Sequence, residues 1–390
     1  MARTATTGTV TNQYDVIVVG AGAMGSAATY HLASRGARVL ALDRFAPPHT
    51  LGSSHGKSRI IREAYFEHPL YVPLLQRAYV LWANLEREAG VPLFTLTGGL
   101  MLGTRHSTVA AGALLSATQH DLPHKVLSAT ELQERYPPLR PPPDTIGIWE
   151  PRAGVLDPDG CIRAHLDLAN QLGATIHTIE QVLDWRVDGD GVRVSTTNDE
   201  YVADTLILSA GAWLSQLVPD LTLPLTVARQ VLFWFQPVRD AEQLGARNFP
   251  VFIWEHAPDH VLYGFPDMGD GVKVAVHHEG EPAEPDNLRR TVGDAEVGQL
   301  RALLEQYLPA ANGPLLDTAV CMYTNTPDFH FIIDRHPRHE QILIASPCSG
   351  HGFKFSSVIG EHLAALALDG QPTLDLTPFA LSRFAKAPIP

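Results

Sequence analysis

The chain has 390 residues, of which 45% are hydrophobic, and a formal net charge of −13 at pH 7. This length allows two domains, and the acidic balance disfavours nucleic acid or an anionic membrane surface as a partner. No apolar run reaches the roughly eighteen residues that would span a bilayer, and the N-terminus has no signal-peptide core. Three widely spaced cysteines without a Cys-x-x-Cys pair fit a reducing compartment. The sequence therefore predicts a cytoplasmic protein.

The strongest local pattern spans residues 15–44 and reads as strand, turn, helix, turn and strand. The apolar run Asp15–Val19 is too short for a helix, and the glycines after it have the spacing Gly-x-Gly-x-x-Gly. In this context the turn and the helix N-terminus hold the pyrophosphate of a dinucleotide. Asp43 ends the second strand, where it can accept hydrogen bonds from a ribose. The predicted cofactor-binding residues of this unit are Gly20, Gly22, Gly25, Asp43 and Arg44.

The dinucleotide is NAD or FAD, and the rest of the chain favours FAD. An NAD domain usually continues into further strand–helix units, whereas this chain turns at Pro47-Pro48. The next strands of this kind come much later, as a hairpin in which Val182–Val187 and Val192–Thr197 flank Asp-Gly-Asp-Gly. The strand Thr205–Leu208 then leads into Ser-Ala-Gly-Ala-Trp, residues 209–213. A nucleotide domain assembled from such distant segments is typical of the FAD-binding variant.

The stretch LGSSHGKSRIIRE, residues 51–63, superficially matches a phosphate-binding loop. Such a loop needs four residues between its first glycine and the Gly-Lys pair, but only three separate Gly52 from Gly56. The stretch also follows Phe-Ala-Pro-Pro and not a buried strand. Its basic residues therefore serve a purpose other than holding a triphosphate.

The remaining elements divide into helices and a β-rich block. Apolar residues at helical spacing predict helices at Leu70–Glu88, Cys161–Leu172, Gly298–Leu308 and Ser356–Leu368. Short aromatic or β-branched runs separated by Pro, Gly and Asp predict a separate antiparallel sheet. The strands predicted for this sheet and elsewhere are Leu225–Phe235, Val251–Trp254, Val261–Phe265, Val272–His277, Ile342–Ala345 and the strand-like segment Phe94–Leu102.

Four longer strings occur together: GSSHGKSRIIREAY (52–65), YGFP followed by VKVAVHH (263–278), CMYTNTPDFHFIIDRHP (321–337) and SGHGFKFSS (349–357). With the N-terminal unit they resemble the monomeric sarcosine oxidase family, which includes N-methyltryptophan oxidase and the peroxisomal sarcosine/pipecolate oxidase. The resemblance runs from about Asp15 to Phe384. It implies an α/β (α+β) fold, with a Rossmann-like FAD-binding domain of the glutathione-reductase type and a mostly antiparallel substrate domain. The predicted boundaries are 1–90, 151–222 and 322–390 for the first domain, and 91–150 and 223–321 for the second.

The resemblance also implies an FAD-dependent oxidase of secondary amino acids, with sarcosine or a related N-methyl amino acid as substrate. A hydride equivalent passes from the carbon next to the amine to FAD, O2 reoxidises the flavin to give H2O2, and the imine hydrolyses to aldehyde and amine. The alternatives are an L-pipecolate- or proline-type cyclic amino acid oxidase and an NAD-dependent dehydrogenase. The expected protein is a monomer with a small-molecule substrate and no metal.

Individual roles follow from the matching positions. Cys321 matches the residue that carries a covalent flavin thioether, and Arg62 and Lys354 match the pair that holds the substrate carboxylate. Lys273 matches the lysine that assists oxygen reduction by placing a cation near the flavin. The basic stretch is therefore interpreted as an anion clamp for a carboxylate.

The remaining positions are assigned by the same resemblance. Arg59 and His277 join Lys273 as predicted catalytic residues, and Tyr263 and Tyr323 join the substrate-binding set, with His351 lining the pocket. Pro347 and Cys348 depart from the family pattern, which puts one expected backbone hydrogen bond to the flavin in doubt. The other predicted cofactor-binding residues are Ser53, His55, Ser58, Val182, Gly211, Trp213, Gly350, Gly352 and Lys354 itself.

Overall fold

The computed structural model describes residues 13–384, so the first twelve residues, predicted to lack a signal-peptide core, and the last six lie outside the described range. No helix in the described part combines the length and the apolar character that a bilayer crossing requires. The strands are β1 Gln13–Val19, β2 Val39–Asp43, β3 Arg59–Ile61, β4 Phe94–Leu96, β5 Gly99–Thr104, β6 Lys125–Ser128, β7 Thr145–Glu150, β8 Gly154–Leu156, β9 Thr175–Thr178, β10 Val182–Asp188, β11 Gly191–Thr196, β12 Glu200–Leu208, β13 Thr226–Phe235, β14 Val251–Ala257, β15 His260–Phe265, β16 Val272–His277, β17 Leu315–Asn325, β18 Ile332–His336 and β19 His339–Ser346.

Helices cover the first sheet and flank the second. Most begin or end at residues that suit the position, such as Asp157, whose carboxylate accepts from two backbone N–H groups at the start of one helix. The helices are α1 Ala23–Ser34, α2 Val72–Ala89, α3 Thr108–Gln119, α4 Ala129–Arg135, α5 Pro158–Gln171, α6 Leu214–Leu217, α7 Ala241–Leu244, α8 Asp294–Tyr307 and α9 Ser356–Asp369.

The first sheet contains five parallel strands in the order β9-β2-β1-β12-β19. The antiparallel strands β10 and β11 extend it beside β12, and β18 pairs with β19. Its central strands are continuously apolar because both faces are covered, and α1 packs against α5 and α9 on one face. The approach of α9 to α1 is so close that a Cβ at Gly360 would lie 2.5 Å from the Ala27 backbone.

The second sheet has the order β17-β13-β16-β15-β14-β5-β7-β6. All neighbours in it are antiparallel except β14 and β5. A small sheet, β3-β8-β4, brings the basic stretch next to it. The structure therefore has the predicted fold class, with a Rossmann-like nucleotide sheet and a mostly antiparallel second sheet.

The predicted helices and strands appear within a few residues of their expected bounds. One expectation needs correction, because Phe94–Leu102 is not one strand. Gly98 has a φ of +73° and splits the segment into β4, in the small sheet, and β5, in the large sheet. Four helices, α3, α4, α6 and α7, have no counterpart among the predicted elements, because α3 is rich in Ala and Leu around its surface and the other three have only four to seven residues.

The predicted domain boundaries remain a prediction. Strands of the first sheet come from residues 13–43, 175–208 and 332–346, and those of the second from 99–150, 226–277 and 315–325. The strand β17 therefore runs across the expected boundary between residues 321 and 322.

Candidate active site

A cavity of about 270 Å³ opens between the carboxyl end of the nucleotide sheet and the large antiparallel sheet. The ends of β1 and β12 contribute Val19 and Ser209, and the antiparallel strands contribute Leu232 and Tyr263. Ligands of open α/β sheets bind at this end of the strands. Of the predicted site residues, those that line the cavity are Gly20, Gly22, Asp43, Arg44, Ser53, Ser58, Arg59, Arg62, Val182, Gly211, Trp213, Tyr263, Lys273, His277, Cys321, Tyr323, Gly350, Gly352 and Lys354.

The glycine turn between β1 and α1 leaves room for a ligand. Gly20 has a φ of +89°, and a Cβ there would lie 2.7 Å from the carbonyl oxygen of Ser209. A Cβ at Gly25 would lie 1.7 Å from the Gly20 oxygen, so this residue does not line the cavity but lets the helix approach the turn. At Gly22, in contrast, a Cβ would meet nothing within 4 Å. The N-terminus of α1 therefore faces open space, as a pyrophosphate requires.

Asp43 sits at the end of β2, beside this turn. Its carboxylate accepts from the backbone N–H groups of Ala21 and Phe45, both at 2.8 Å. Burial nevertheless raises the pKa of Asp43. The aspartate thus fixes the turn and also borders the cavity, where a ribose would lie.

Arg44 and Trp213 are joined by Asp286, a residue that has no place among the predicted site residues. The carboxylate accepts from Arg44 Nη1 at 2.9 Å and from Trp213 Nε1 at 2.8 Å. The guanidinium of Arg44 also lies 5.1 Å from the Trp213 ring centroid. This contact connects the nucleotide end of the cavity to the segment that precedes α8.

The two residues predicted to hold a carboxylate, Arg62 and Lys354, are buried cations that lie over one aromatic ring. The guanidinium carbon of Arg62 is 4.1 Å from the Tyr65 ring centroid, and Lys354 Nζ is 5.2 Å from it. Arg62 is 2% exposed and Lys354 is 6% exposed. Burial and the positive charge of Arg62 lower the pKa of Lys354 to about 7.

The carboxylate of Glu67 forms an ion pair with the guanidinium of Arg62. Its two oxygens accept from Arg62 Nη2 at 2.8 and 2.6 Å. Although burial opposes ionisation, Arg62, His351 and Lys354 keep the pKa of Glu67 below its ordinary value. The predicted site residues do not include this carboxylate, because a single Glu on a loop five residues after Arg62 follows no periodic or motif pattern. Arg62 is therefore placed at the cavity but bound to an internal carboxylate.

Lys273 lies at another part of the cavity wall, on β16. Its Nζ donates to Gly56 O at 2.7 Å, Ser58 O at 2.9 Å and Ser58 Oγ at 3.0 Å. The ammonium is also 4.5 Å from the Phe265 ring centroid. Burial, together with Arg59, lowers the pKa of Lys273 well below its ordinary value. Three oxygen acceptors therefore hold a buried amine at the edge of the basic stretch.

Arg59 holds the backbone of the basic stretch by donating to three of its carbonyl oxygens. Its Nη2 donates to Ser53 O at 2.8 Å and His55 O at 2.6 Å, and its Nη1 donates to Ser58 O at 2.8 Å. His55 does not line the cavity, and burial lowers the pKa of its imidazole to about 4. The stretch continues into β3 and not into a helix, so it has no phosphate-binding helix terminus.

His277, Tyr323 and Tyr263 form an aromatic wall of the cavity. His277 Nδ1 lies 3.1 Å from the hydroxyl of Tyr323, and its ring centroid is 5.9 Å from that of Tyr263. Burial and the neighbouring His278 lower the pKa of His277, so the ring is neutral at pH 7. Gly350 leaves space for the Tyr323 ring in this wall, since a Cβ at position 350 would lie 2.6 Å from that ring.

Cys321 lies on β17, directly opposite Gln230 of β13, and is 3% exposed. Burial raises the pKa of its thiol, and the positive charges of Arg59 and Lys273 partly offset this effect. The thiol therefore borders the cavity beside two cationic side chains, in surroundings that favour a thiolate more than burial alone would.

The segment before α9 contains the two residues that depart from the family pattern. Pro347 and Cys348 line the cavity. A Cβ at Gly352 would lie 1.6 Å from the carbonyl oxygen of Pro347, so this turn is tightly closed. The structure gives no reason for a cysteine at position 348.

His351 binds the hydroxyl of Tyr65 through Nδ1 at 2.6 Å and thereby fixes the Tyr65 ring, over which Arg62 and Lys354 lie.

Glu150 is a second buried carboxylate with no place among the predicted site residues. It accepts from the backbone N–H groups of Glu63 and Ala64 at 2.7 and 2.8 Å, directly after Arg62. Burial raises its pKa to about 7.

In residues 13–384, no group of three His, Cys, Asp or Glu side chains is arranged to hold a metal ion.

The open helix N-terminus, the acidic residue at the end of β2 and the cavity between the two sheets together fit FAD. The family model described as FAD dependent oxidoreductase matches residues 15–366. The protein is therefore an FAD-dependent oxidoreductase, and the predicted FAD dependence is confirmed.

Individual relatives narrow the assignment. The monomeric sarcosine oxidase of Streptomyces avermitilis is 46% identical over 379 residues, which cover 96% of this chain and 99% of that protein. The N-methyl-L-tryptophan oxidase of Yersinia pestis (strain Pestoides F) is 37% identical over 374 residues, 95% of this chain and 99% of that protein. The solved structure of NikD, an unusual amino acid oxidase essential for nikkomycin biosynthesis, has a TM-score of 0.82 at 25% identity and covers 95% of this chain and 98% of its own. The chain belongs to the monomeric sarcosine oxidase family.

Proposed function

We propose that the protein oxidises the carbon–nitrogen bond of a secondary amino acid, with sarcosine or a related N-methyl amino acid as substrate, and passes the electrons to O2. The observation that carries this proposal is the pair of buried cations, Arg62 and Lys354, over the Tyr65 ring at the FAD cavity. Two convergent cations suit the carboxylate that every amino acid presents. The comparison with sarcosine and N-methyltryptophan oxidases supports the same substrate class.

The substrate carboxylate competes with Glu67 for the clamp. Arg62 already binds a carboxylate in a two-oxygen arrangement, so its geometry suits the carboxylate of a substrate. Lys354 Nζ donates to His351 O at 2.6 Å and to the Tyr65 hydroxyl at 3.4 Å, which leaves the third N–H of the ammonium for the substrate. Substrate binding therefore shifts Arg62 or Glu67 and adds an anion between the two cations.

His277 and Tyr323 are proposed to orient the amine. Only an uncharged amine has the lone pair needed to support loss of hydride from its neighbouring carbon, and a neutral imidazole does not stabilise an ammonium as a carboxylate would. His277 is neutral because burial and His278 lower its pKa. FAD, when bound, supplies the hydride acceptor.

Lys273 and Arg59 are proposed to serve the oxygen half of the reaction. A fixed positive charge stabilises the negative charge that O2 gains as it is reduced. Three backbone and hydroxyl oxygens fix Lys273 Nζ at the cavity wall, so no reorganisation of this side chain is needed during the step. Cys321 is proposed to anchor FAD through a thioether, which would retain the cofactor through repeated turnover.

The test is a peroxide assay with purified protein and a panel of amines. We expect H2O2 with sarcosine or another N-methyl amino acid, and at most weak activity with glycine, which has a primary amine. Proline and pipecolate test the cyclic alternative, and reduction of added NAD tests the dehydrogenase alternative. Arg62→Met should raise KM strongly. A yellow protein that releases no peroxide with any secondary amino acid would refute the proposal.

The covalent link requires its own measurement. Peptide mass spectrometry of flavin-loaded enzyme should show flavin mass on the peptide that contains Cys321, and Cys161 serves as the internal control because its thiol does not line the cavity. An unmodified Cys321 peptide would remove the covalent claim without affecting the oxidase proposal. The monomeric state is proposed from the relatives' name, and the cytoplasmic location remains a prediction from sequence.

A further inference from the structure

A second cavity borders Lys273. It has a volume of about 170 Å³, and three of its lining residues, Ser58, Phe265 and Lys273, also line the FAD cavity. The two spaces therefore meet at the amine that is proposed to assist oxygen reduction. The carboxylate clamp of Arg62 and Lys354 borders only the larger cavity. The second cavity thus has no part in the binding of the amino acid described so far.

The lining of the second cavity runs from the surface to the interior. Thr95, Met268 and Asp270 are exposed, with Met268 at 42%. Trp234 and Lys273, which line the same cavity, are each 2% exposed. This gradient describes a route from solvent to the Lys273 amine through the contact between the small sheet and the large sheet.

The walls of this route suit a small neutral molecule. Half of the lining residues have apolar side chains, and the charged ones already have partners within the protein: Lys57 pairs with Asp270, Asp157 accepts from two backbone N–H groups, and Lys273 donates to three oxygens. A zwitterionic amino acid would therefore lose its hydration without compensating hydrogen bonds. O2 is small and apolar, and H2O2 is small and uncharged, so neither carries the cost of burying a charge. The apolar lining residues are Pro92, Leu93, Val155, Trp234, Phe265, Pro266 and Met268.

Lys57 helps to fix the outer part of the route. Its Nζ is 3.1 Å from Asp317 and 3.7 Å from Asp270, and 5.0 Å from the Trp234 ring centroid. Lys273 Nζ lies 5.3 Å from the same ring. Trp234 therefore contacts the Lys57 ammonium near solvent and the Lys273 amine at the inner end, and the ion pairs of Lys57 connect the basic stretch to Asp270 of the wall and to β17.

We propose that the second cavity is the passage by which O2 reaches Lys273 and H2O2 leaves. The inference rests on the proposed oxidase function, in which reduced FAD gives two electrons and O2 takes up two protons to become H2O2. Both the reactant and the product of this step are neutral, so one passage whose charged side chains already have partners serves both. The amino acid and its imine product use the larger cavity, on the side where Glu67 is partly exposed.

The test narrows the passage and leaves the substrate side unchanged. Thr95→Trp places an indole at the outer end of the cavity, on an exposed position of β4. Leu96→Trp is the matched control, because successive side chains of a strand point to opposite faces and Leu96, which is 61% exposed, does not line the cavity. Met268→Trp blocks the same end from a different segment, and Met268→Leu is its control.

Stopped-flow absorbance separates the two half-reactions of the flavin-loaded enzyme. Both blocking variants should be reduced by substrate under anaerobic conditions at the wild-type rate. Their reoxidation by O2 should slow by on the order of tenfold, whereas the two control variants should reoxidise normally. A readout independent of activity is the electron density of crystals held under xenon pressure. Xenon, a small apolar probe, should occupy the second cavity in the wild-type and Leu96→Trp proteins but not in Thr95→Trp.

Three outcomes would overturn the passage: wild-type reoxidation rates in both blocking variants, equal slowing in Leu96→Trp, or a wild-type crystal without xenon in the cavity. Failure of the proposed function looks different. In that case the wild-type flavin would not be reduced anaerobically by any secondary amino acid, whatever the reoxidation rates and the xenon density show.

Discussion

The titration of Lys354 makes the carboxylate clamp testable through pH alone. Burial and Arg62 lower the pKa of this lysine to about 7. Below that pH the side chain is an ammonium and attracts a carboxylate, and above it the side chain is a neutral amine. A carboxylate ligand should therefore bind tightly at about pH 6 and progressively more weakly as the pH rises through 7. Replacing Lys354 by Met removes the charge and retains an unbranched side chain of similar length.

The magnitudes of the two effects, that of Lys354→Met and that of rising pH in the wild type, follow from the buried position of the Lys354 amine. A hydrogen bond to a charged group contributes about 1.5–3 kcal/mol, so Lys354→Met should weaken binding at pH 6 by about 10- to 150-fold. In the wild type, each pH unit above the pKa should weaken binding by up to about tenfold, because the fraction of protonated lysine falls by that factor. At about pH 9 the wild type and the variant should therefore bind almost equally.

The ligand used to measure this pH dependence must have no amine. Deprotonation of a substrate amine at rising pH would change Kd in the opposite direction to deprotonation of Lys354. Acetate or methoxyacetate meets this condition, and titrations followed by flavin absorbance give Kd from about pH 6 to about pH 9. Lys125→Met, which removes an exposed lysine outside the cavity, is the control and should retain the wild-type slope. A wild-type Kd that does not change with pH, or an equal slope in Lys354→Met, would refute the assignment of this lysine to the clamp.

Three further changes test other parts of the site. Glu67→Gln should tighten binding of the same ligand by about 5- to 10-fold, because a neutral amide competes less well for Arg62 than a carboxylate does. At about pH 8, where Glu150 is ionised, Glu150→Gln should reduce the free energy of unfolding by about 1–3 kcal/mol and raise KM more than it lowers kcat, because the backbone after Arg62 loses a charged acceptor. Gly352→Ala should destabilise the protein by about 1–3 kcal/mol, because its Cβ would lie 1.6 Å from Pro347 O.

Each of these changes has a matched control. Glu67→Asp keeps the negative charge and should not tighten ligand binding; equal tightening would show that Glu67 does not compete electrostatically. Glu361→Gln removes a partly exposed carboxylate outside the cavity and should leave KM unchanged; a rise equal to that of Glu150→Gln would contradict the positioning role. Gly298→Ala adds a Cβ with no atom within 4 Å in the middle of α8, so denaturation midpoints should separate it from Gly352→Ala.

Elements that depend on near neighbours could be predicted from sequence. The strand–turn–helix–strand unit is complete within 30 residues, and the hairpin of β10 and β11 has its turn residues beside its strands. Their patterns therefore indicate both the elements and their contacts. Long-range pairings have no such signal. The strand β1 pairs with β12 nearly 190 residues later, and only the assembled sheet determines that order.

The same limit applies to the candidate site. Arg62 and Lys354 could be assigned because they lie in long strings that resemble a family. Glu67 and Glu150 could not, because each is a single carboxylate whose partner depends on the fold. Glu150 lies 87 residues from Glu63, whose N–H group it accepts from. Buried or partly buried carboxylates such as Glu67 and Glu150, which bind a cation or backbone N–H groups of the same chain, can therefore be identified only from the structure.

The charges at the clamp give a second reason, independent of loop spacing, to assign it to a carboxylate and not to a phosphate. Arg62 and ionised Lys354 contribute two positive charges, and Glu67 contributes one negative charge, so the group, in which both cations are buried, has a net charge of +1. A monocarboxylate makes the group neutral, whereas a phosphate dianion would leave an uncompensated negative charge in a buried site, which is costly. The acidic surface, with its net charge of −13 over the chain, does not reverse this preference, because salt screens exposed charges beyond about 8–10 Å. Phosphate should therefore fail to compete with acetate for the clamp even at concentrations far above the acetate Kd.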